Sequence, residues 1–259
     1  MEELKTRCMN EITKEEVYFD RASAENIEPM RNLFTPKGGG TDFAGTCEGD
    51  GSAERTLGST ADLERDRIEV DGRPLRRERK RYFLFYKPDR VITSSDDPQG
   101  RRTVMDFFGS VRERIFPVGR LDYHTEGLLL MTNDGKLDEW LTHPRGEVKK
   151  VYEVEVRGRL SERLAAQIGR GVRLEDGKTA PCGVEVLAYD EARNRTFLRM
   201  TLHEGKNREI RRIMAHFHYP VFSLKRTQYS FLTADRLKKG TFRALTSEEV
   251  KKLYANPQE

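Results

Sequence analysis

The sequence predicts an α+β fold with a mixed, mainly antiparallel central sheet flanked by helices. Many short apolar or alternating runs, typical of strands, lie between residues 61 and 245, and only a few segments with helical periodicity separate them. Strands and helices mixed in this way are typical of an α+β domain. No strand leads into a glycine-rich phosphate loop, so nothing supports a site for a dinucleotide or a nucleoside triphosphate.

The strand predictions start from two apolar runs, Tyr82–Tyr86 and Leu128–Thr132, which are typical of buried strands. Val91–Ser94 is predicted to pair with the first run. Asn133-Asp134-Gly135, after the second run, has the residues of a hairpin turn. Further strands are predicted at Arg67–Val70, Val151–Val156, Val184–Ala188, Thr196–Leu202, Val221–Leu224 and Phe242–Leu245.

The helix predictions rest on caps and on apolar spacing. A helical turn is predicted at Thr103–Phe108, and helices at Lys136–Thr142, at Ser161–Ile168 with Ser161 as N-cap, at Lys206–Phe217, and from Thr246 with Glu249 completing a capping box. In the fourth of these segments, four apolar residues recur at i, i+3, i+4 and i+7 and predict a core face: Ile210, Ile213, Met214 and Phe217. Three arginines lie on the neighbouring face.

The N-terminal part of the chain differs from the rest. Residues 35–60 are rich in Gly, Ser and Thr and hold few large aliphatic side chains, so they cannot bury enough surface to offset the entropy of ordering. Residues 1–34 show a weak pattern that fits a short helix or two. We therefore expect residues 1–60 to be poorly structured, residues 61–80 to form a linker, and residues 81–259 to form the main domain.

Charge is clustered although the net charge of the 259 residues is only +4. Basic clusters of this kind neutralise phosphates and favour a nucleic-acid partner, but a solvated protein surface has the same composition. The clusters are Arg73, Arg76, Arg77, Arg79, Lys80 and Arg81; Arg208, Arg211 and Arg212; and Lys225 and Arg226.

Several classes of protein are disfavoured. Cys8, Cys47 and Cys182 are far apart and form no CxxC pair, so neither a zinc site nor a disulfide framework is expected, and a reducing cytoplasm fits. His216 and His218 lack further ligands at usual spacing and are interpreted as helix-end histidines. The charged N-terminus is unlike a secretory signal, and no apolar run approaches the about 18 residues of a membrane span.

Asp122 is the strongest candidate for chemistry. Gly119-Arg120-Leu121-Asp122 forms a loop before the apolar run at Leu128–Thr132, and a carboxylate beside an arginine stays ionised. An ionised carboxylate on a rigid scaffold acts as a covalent nucleophile in glycosidases. Taken by itself, however, the pattern favours a structural aspartate that caps the loop or pairs with Arg120.

Four sequence blocks change this interpretation. They read FLFYKPDRVITSSDDPQGRRTVMDFF from Phe83, PVGRLDYHTEGLLLMTNDG from Pro117, HPRGEVKKVYEVEVRG from His143, and TLHEGKNREIRRIMAHFHYPVFSLKRTQYSFL from Thr201. In this order they resemble the branch of pseudouridine synthases that modify small-subunit and large-subunit ribosomal RNA. The resemblance covers roughly residues 62–254.

The resemblance implies a pseudouridine synthase catalytic domain at residues 81–259 that isomerises uridine in ribosomal RNA without a cofactor or metal. It implies that Asp122 is the nucleophile, that Tyr152 stacks on the target base, and that Arg211 pairs with the aspartate, with Arg208 as the alternative. Contacts to RNA are expected from seven residues: Arg120, Thr125, Lys206, Arg208, Arg212, Lys225 and Arg226. The last block leans towards large-subunit RNA, and a monomer is expected.

The N-terminus departs from the family pattern. Members usually begin with a small RNA-binding module, and here only its end is recognisable, at Leu57-Gly58 and Asp66–Gly72. Residues 1–60 are therefore expected to be a degenerate or replaced module and residues 61–80 its remnant, with altered substrate selection. A non-catalytic RNA-binding or ribosome-assembly factor on the same fold is the alternative, although the joint presence of Asp122, Tyr152 and Arg211 argues against it.

Overall fold

The computed structural model describes residues 78–143, 146–235 and 237–255, and before residue 78 the backbone of six short strands. The chain divides into two compact units, Met1–Glu78 and Arg79–Glu259. The limits expected for the degenerate N-terminal segment and the linker, at residues 60 and 80, stay predictions, since most of residues 1–77 lies outside the described part of the chain.

The described strands of the first unit form two small sheets. β1 (Thr6–Met9) pairs antiparallel with β2 (Glu16–Phe19), where the weak sequence pattern had fitted short helices, so that interpretation is wrong for these residues. The second sheet has the order β4-β3-β5-β6 and contains β3 (Cys47–Gly49), β4 (Ser52–Glu54), β5 (Glu69–Val70) and β6 (Arg73–Pro74). Glu69 and Val70, the last residues of the strand predicted at Arg67–Val70, form β5, which pairs with β6. The predicted turn at Asp71-Gly72 lies outside the described residues.

One large sheet organises the second unit, which confirms the predicted α+β class. Along its main path the order is β13-β14-β10-β15-β9-β7-β17, and neighbours are antiparallel except for β15 and β9. The strands on this path are β7 (Tyr82–Lys87), β9 (Glu126–Thr132), β10 (Lys150–Arg157), β13 (Gly183–Asp190), β14 (Arg195–Leu202), β15 (Val221–Tyr229) and β17 (Phe242–Ala244). β8 (Phe116–Val118) pairs with β9, β16 (Leu232–Thr233) pairs with β15, and β11 (Arg173–Leu174) with β12 (Gly177–Lys178) forms a separate hairpin.

The 3-10 turn and three of the described helices lie between strands in the sequence, and the fourth helix follows the last described strand. A 3-10 turn (Val104–Phe107) follows β7, α1 (Gly135–Thr142) follows β9, and α2 (Glu162–Gly169) follows β10. α3 (Glu209–His216) connects β14 with β15, and α4 (Ser247–Ala255) follows β17. The predicted caps are confirmed: Ser161 Oγ accepts a hydrogen bond from the Leu164 amide, and Thr246 and Glu249 form a capping box.

β7 and β9 are apolar on both sides because each of their faces is covered. On one face Leu84, Leu128 and Leu130 pack with α1 and α4. On the other face Phe83 and Phe85 pack with Leu129, Met131 and the 3-10 turn, which explains the two continuous apolar runs. A third core lies between β10, β13, β14 and β15 and the helices α2 and α3, and it contains Ile210, Ile213 and Met214 as predicted.

Three local predictions are wrong. Asn133-Asp134-Gly135 does not form a hairpin, because Asp134 occupies the N-cap position of α1 and side chains bind its carboxylate. Val91–Ser94 does not pair with β7, whose neighbours are β9 and β17; Ile92 makes a single bridge to Thr103. α3 begins at Glu209 and not at Lys206, because Arg208 has a left-handed backbone conformation with φ 48°.

Candidate active site

The loop that carries Asp122 connects β8 to β9 and is held at several points. Gly119 turns the chain out of β8 with φ +66°. The buried Leu121 forms two hydrogen bonds with the Thr93 hydroxyl, which donates to the Leu121 carbonyl at 2.8 Å and accepts from its amide at 3.3 Å. The carbonyl of Asp122 accepts from the Thr125 amide at 3.0 Å. The loop therefore presents the Asp122 carboxylate from a fixed backbone.

Lys87 supports this loop from the end of β7, and it was not among the site residues predicted from the sequence. The side chain is fully buried at the end of β7, and its ammonium group donates to the carbonyls of Thr125 at 2.8 Å, Pro88 at 3.0 Å and Tyr123 at 3.5 Å. Burial lowers the pKa of Lys87 to about 8, and nearby carboxylates, including Asp122, oppose that shift. A buried strand that ends in Lys-Pro is the sequence signal for this residue.

Arg211 reaches the same loop from α3. Its Nη2 donates to the His124 carbonyl at 2.6 Å, and its Nε lies 3.9 Å from Asp122 Oδ2, which is an ion-pair distance and too long for a hydrogen bond. The Arg211 side chain is 15% exposed. Burial lowers its pKa, and the charge of Asp122 opposes this shift. Of the two arginines left open by the sequence, Arg211 therefore lies next to Asp122.

Tyr152 lies on β10, next to β15 and on the side of the sheet that faces α3. A register shift between Val151 and Tyr152 interrupts the pairing with β15 and changes the direction of the following side chain. The Tyr152 hydroxyl is 3.5 Å from Nη1 of Arg226, at the long limit of a hydrogen bond. The tyrosine packs partly buried against two of the three cores.

A cleft of about 530 Å³ connects these residues, within the range of small-molecule sites. Seven of the ten predicted site residues line it: Arg120, Asp122, Thr125, Tyr152, Lys206, Arg208 and Arg226. The other three are Arg211, Arg212 and Lys225. Arg212 forms an ion pair with Asp176 at 2.9 Å, and Lys225 forms one with Glu153 at 3.6 Å.

Arg226 is buried, whereas the sequence suggested that it forms a basic surface cluster with Lys225. It is 3% exposed, whereas the adjacent Lys225 is part-exposed and contacts Glu153. Successive side chains of a strand point to opposite faces, so Lys225 and Arg226 do not form one basic patch.

The opposite wall of the cleft carries a pair of carboxyl groups. Glu209 is buried and shares a side-chain hydrogen bond with Glu204, whose Oε1 accepts from the Ala180 amide. Burial and then the hydrogen bond to Glu204 raise the pKa of Glu209 to about 7. Lys150, also in the cleft, has its pKa lowered to about 8, first by burial and then by the charge of Arg226. Among the described residues, no group of three His, Cys, Asp or Glu side chains is placed to hold a metal ion.

Comparisons with known proteins identify the family. Residues 81–216 match the family described as RNA pseudouridylate synthase. The chain is 45% identical to ribosomal large subunit pseudouridine synthase B of Bacillus subtilis, over 73% of this chain and 78% of the relative. It is 32% identical to ribosomal large subunit pseudouridine synthase E of Vibrio vulnificus, over 71% of this chain and 83% of the relative.

A solved structure supports the same assignment. The crystal structure of a pseudouridylate synthase matches with a TM-score of 0.63 and 27% identity, over 80% of this chain and 88% of that chain. The chain belongs to the family of RNA pseudouridylate synthases. It is therefore an enzyme that converts uridine in RNA into pseudouridine. No helix of the described residues is long and apolar enough to cross a membrane.

Proposed function

We propose that this enzyme isomerises uridine in ribosomal RNA, and in large-subunit RNA in particular, with Asp122 as the nucleophile. The ion-pair distance between Asp122 and Arg211 carries this proposal, because it puts a fixed cation beside a carboxylate that lines the cleft from a fixed loop. The choice of RNA follows the names of the relatives from Bacillus subtilis and Vibrio vulnificus, which both refer to the large ribosomal subunit.

Each residue has a separate task in the proposed reaction. The Asp122 carboxylate attacks C1′ of the bound nucleotide as the bond between C1′ and N1 breaks and the uracil leaves with the electron pair. The uracil then turns, C5 bonds to C1′, and the bond between C1′ and the Asp122 carboxylate breaks, which restores the free carboxylate. Arg211 places its positive charge beside Asp122 and links α3 to the loop through the His124 carbonyl. Tyr152 stacks on the uracil in the cleft.

The RNA-binding role is proposed for the basic residues around the cleft. A target base has to leave its stack before its glycosidic bond is cut, which costs a few kcal/mol and costs least in unpaired RNA. Arg120, Lys206 and Arg208 line the cleft and offset this cost by neutralising phosphates, and Thr125 shapes the loop. Arg212 and Lys225 contact RNA outside the cleft, and the buried Arg226 acts within it.

The oligomeric state, the location and the cofactor requirement of the enzyme are also part of the proposal. We propose a monomer in the cytoplasm that needs no nucleotide cofactor and no metal ion. Activity on ribosomal RNA is expected to be the same with and without a chelator. The contrary result would be a loss of activity in the chelator that is reversed by adding a divalent metal, with the ionic strength held constant and the RNA structure intact.

The test uses full-length protein and transcripts of both ribosomal RNAs, in which pseudouridine is mapped chemically. We expect modification of large-subunit RNA by the wild type and by Asp190→Asn, which changes a hairpin aspartate far along the sequence from the loop. Asp122→Asn and Asp122→Ala are expected to give no product. Identical maps for wild type and Asp122→Asn would refute the assignment of the nucleophile, and modification of small-subunit RNA alone would refute the choice of substrate.

Arg211→Lys provides a finer test of the same site. The lysine keeps a positive charge but cannot make both contacts of the guanidinium group, to the His124 carbonyl and towards Asp122. We expect the single-turnover rate to fall about 100-fold, or about 2.7 kcal/mol in the barrier. Arg208→Lys is expected to change RNA affinity more than this rate, and the reverse pattern would assign the pairing to Arg208.

A further inference from the structure

Arg226 occupies the centre of the large sheet, where the two halves of the site meet. It lies on β15 with Tyr152 of β10 as its antiparallel partner in the register and Gly127 of β9 as its parallel partner. Gly127 comes five residues after Asp122 in the sequence. A side chain at this point of β15 is therefore next to both the proposed stacking tyrosine and the strand that carries the nucleophile loop.

The guanidinium group of Arg226 is fixed on one side and unpaired on the other. Nε donates to the Leu128 carbonyl at 2.7 Å, and Nη1 lies 3.5 Å from the Tyr152 hydroxyl. The group stacks over the Tyr229 ring, 5.0 Å from its centroid. Nη2 is buried and has no acceptor among the described residues, although the side chain lines the cleft. Buried donors almost always have a partner, so the free Nη2 is an unusual feature that points to a ligand.

Arg226 forms no ion pair with a carboxylate among the described residues. On the adjacent elements Asp122 faces Arg211, Glu153 pairs with Lys225, and Glu126 pairs with Lys239. Lys150, in the same cleft, has its pKa lowered to about 8 by burial and by Arg226. A buried cation with a free donor favours an oxygen that carries negative charge.

A second buried polar group at this end of the cleft lacks a partner as well. The Thr125 side chain is 2% exposed, it lines the cleft, and its Oγ1 has no hydrogen-bond partner among the described residues. Thr125 is the last residue of the loop before β9, and Arg226 lies on β15, which pairs with β9. Two unsatisfied polar groups in one cleft fit a ligand with more than one polar atom, such as a nucleobase.

We infer that Arg226 is a catalytic residue whose Nη2 donates a hydrogen bond to a carbonyl oxygen of the target uracil and stabilises its negative charge. When the bond between C1′ and N1 breaks, the electron pair stays with the uracil and is shared by N1, O2 and O4. The charge disappears when C5 bonds to C1′; C5 then loses its proton, and N1 carries a proton in the product. The inference rests on the position of the uridine beside Asp122 proposed above.

The expected effect follows from when the charge develops. Uridine in the RNA is neutral, and its base becomes anionic only as the glycosidic bond breaks, so Arg226 stabilises the transition state more than the bound substrate. Removing a donor of this kind typically slows the chemical step about 100- to 1000-fold. RNA affinity, which depends on phosphate contacts, is expected to change less than about threefold.

The experiment is a double-mutant cycle in the full-length protein, in which substitutions of Arg226 are combined with the replacement of single oxygen atoms of the target uracil. Wild type, Arg226→Gln and Arg226→Lys are compared in single-turnover reactions on RNA that carries uridine, 2-thiouridine or 4-thiouridine at the target position. Sulfur accepts hydrogen bonds more weakly than oxygen. Arg199→Gln is the matched control, because Arg199 also lies on the large sheet but is exposed and pairs with Glu185. Thermal unfolding and RNA affinity are measured for every variant.

We expect one of the two thio-substitutions to slow the wild type and Arg199→Gln while leaving Arg226→Gln without further loss, since the hydrogen bond is already absent there. Arg226→Lys is expected to retain part of the rate. Equal thio-effects in wild type and variant, or a loss of affinity without a loss of rate, would overturn the inference. If Arg226→Gln does not fold, the same cycle is decided with Arg226→Lys. Failure of the proposed function would appear separately, as product formation by Asp122→Asn.

Discussion

Glu209 and Glu204 meet in the wall of the cleft, and at the scale of single residues they give the site a proton-sharing pair. The shared hydrogen bond requires a proton on one of the two groups, and burial, followed by this hydrogen bond, raises the pKa of Glu209 to about 7. The Lys206 amide donates to Glu209 Oε2 at 3.2 Å, so Glu209 also contacts the turn that leads into α3.

Stability is expected to depend on pH through this pair. The folded pKa of Glu209 lies above its ordinary value of 4.5, so the folded state binds more protons than the unfolded state between pH 4.5 and 7. The stabilisation is present below pH 4.5 and is lost as the pH rises through 7. Glu209→Gln, which donates the hydrogen bond at any pH, is expected to be more stable than the wild type at pH 8 by about 2 kcal/mol, after allowing for solvent screening.

The measurement is the free energy of unfolding from denaturant titrations at pH 5 and pH 8. The difference between the two pH values is expected to shrink in Glu209→Gln and to stay as in the wild type in Glu185→Gln, an exposed glutamate on β13. An unchanged pH dependence in Glu209→Gln would show that the two carboxyl groups do not share a proton.

The sequence left the partner of Asp122 open between Arg208 and Arg211, for a physical reason. Arg208 and Arg211 belong to one segment with helical periodicity, and a helix from Lys206 onwards places both on neighbouring faces. Only the backbone decides between them: the left-handed conformation of Arg208 delays the helix and leaves Arg211 next to Asp122. Lys87 was missed because a lysine after an apolar run usually marks the surface end of a strand.

At the scale of elements, the pairing of β9 with β15 links the two halves of the large sheet. The register contains two pairs, Lys225 with Glu126 and Arg226 with Gly127. Gly127 has φ +109°, and a Cβ at this position would lie 2.1 Å from the Arg226 carbonyl oxygen. Glycine is therefore required here by the close approach of the two backbones.

Gly127→Ala is expected to destabilise the protein by about 3 kcal/mol, because the new methyl group forces the strands apart at a strained φ. Gly109→Ala is the control: a Cβ there has no atom within 4 Å and the φ is not positive. The free energy of unfolding distinguishes them. A change below about 1 kcal/mol for Gly127→Ala would mean that the strands separate without cost.

The carboxylate of Asp134 joins α1, α4 and β7. It accepts hydrogen bonds from Tyr254 at 2.5 Å and Tyr82 at 2.6 Å, and Lys80 forms an ion pair with it at 3.2 Å. Burial raises the pKa of Asp134, but these partners outweigh burial and lower it overall. This cluster explains why the segment that looked like a hairpin turn starts a helix.

Tyr254→Phe is expected to cost about 2 kcal/mol, since it removes a donor from a charged, partly buried acceptor. Tyr189→Phe removes an exposed hydrogen bond to Asn194 and is expected to cost less than about 0.5 kcal/mol. Thermal unfolding of both variants tests this, and equal shifts would show that Asp134 does not depend on Tyr254.

The element predictions succeeded where burial dominates. Continuous apolar runs identified β7 and β9, and the spacing of Ile210, Ile213 and Met214 identified the buried face of α3. The errors fell on short polar segments, where one set of residues serves two structures. Asp and Gly are common both in hairpin turns and at the start of helices. Residues distant in sequence that bind the Asp134 carboxylate, such as Tyr254, determine which of the two forms.

At the scale of the whole molecule, all residues assigned to the reaction lie in the second unit, Arg79–Glu259. A chain that begins at Glu78 is therefore expected to fold cooperatively. Its single-turnover rate at saturating enzyme should stay within about threefold of the full-length rate. Its RNA affinity should fall, because the basic residues before Glu78 are missing. Calorimetry and RNA binding test this. A truncated chain that is unfolded, or one with unchanged affinity, would contradict the expectation.

The first unit is expected to alter substrate selection. Grafting an intact RNA-binding module of the family in place of residues 1–77 should increase affinity or turnover on ribosomal RNA. No change in either quantity would count against the view that the present N-terminus is a degenerate or replaced module.

The pairing of β9 with β15 is short, so the rate of catalysis also reports whether these two strands are paired. Asp122 precedes β9 in one half of the sheet, whereas Tyr152 and Arg226 lie on β10 and β15 in the other half, and Arg211 reaches Asp122 from α3. The two residue pairs between β9 and β15 are supported by a core that both halves share, in which Leu128 and Leu130 pack with Tyr229 and Leu232. A brief parting of the two strands at this point would displace Asp122 from its partners while the other two cores stay packed. Under mild heat or denaturant, turnover should therefore vanish before circular dichroism or fluorescence detects any loss of structure.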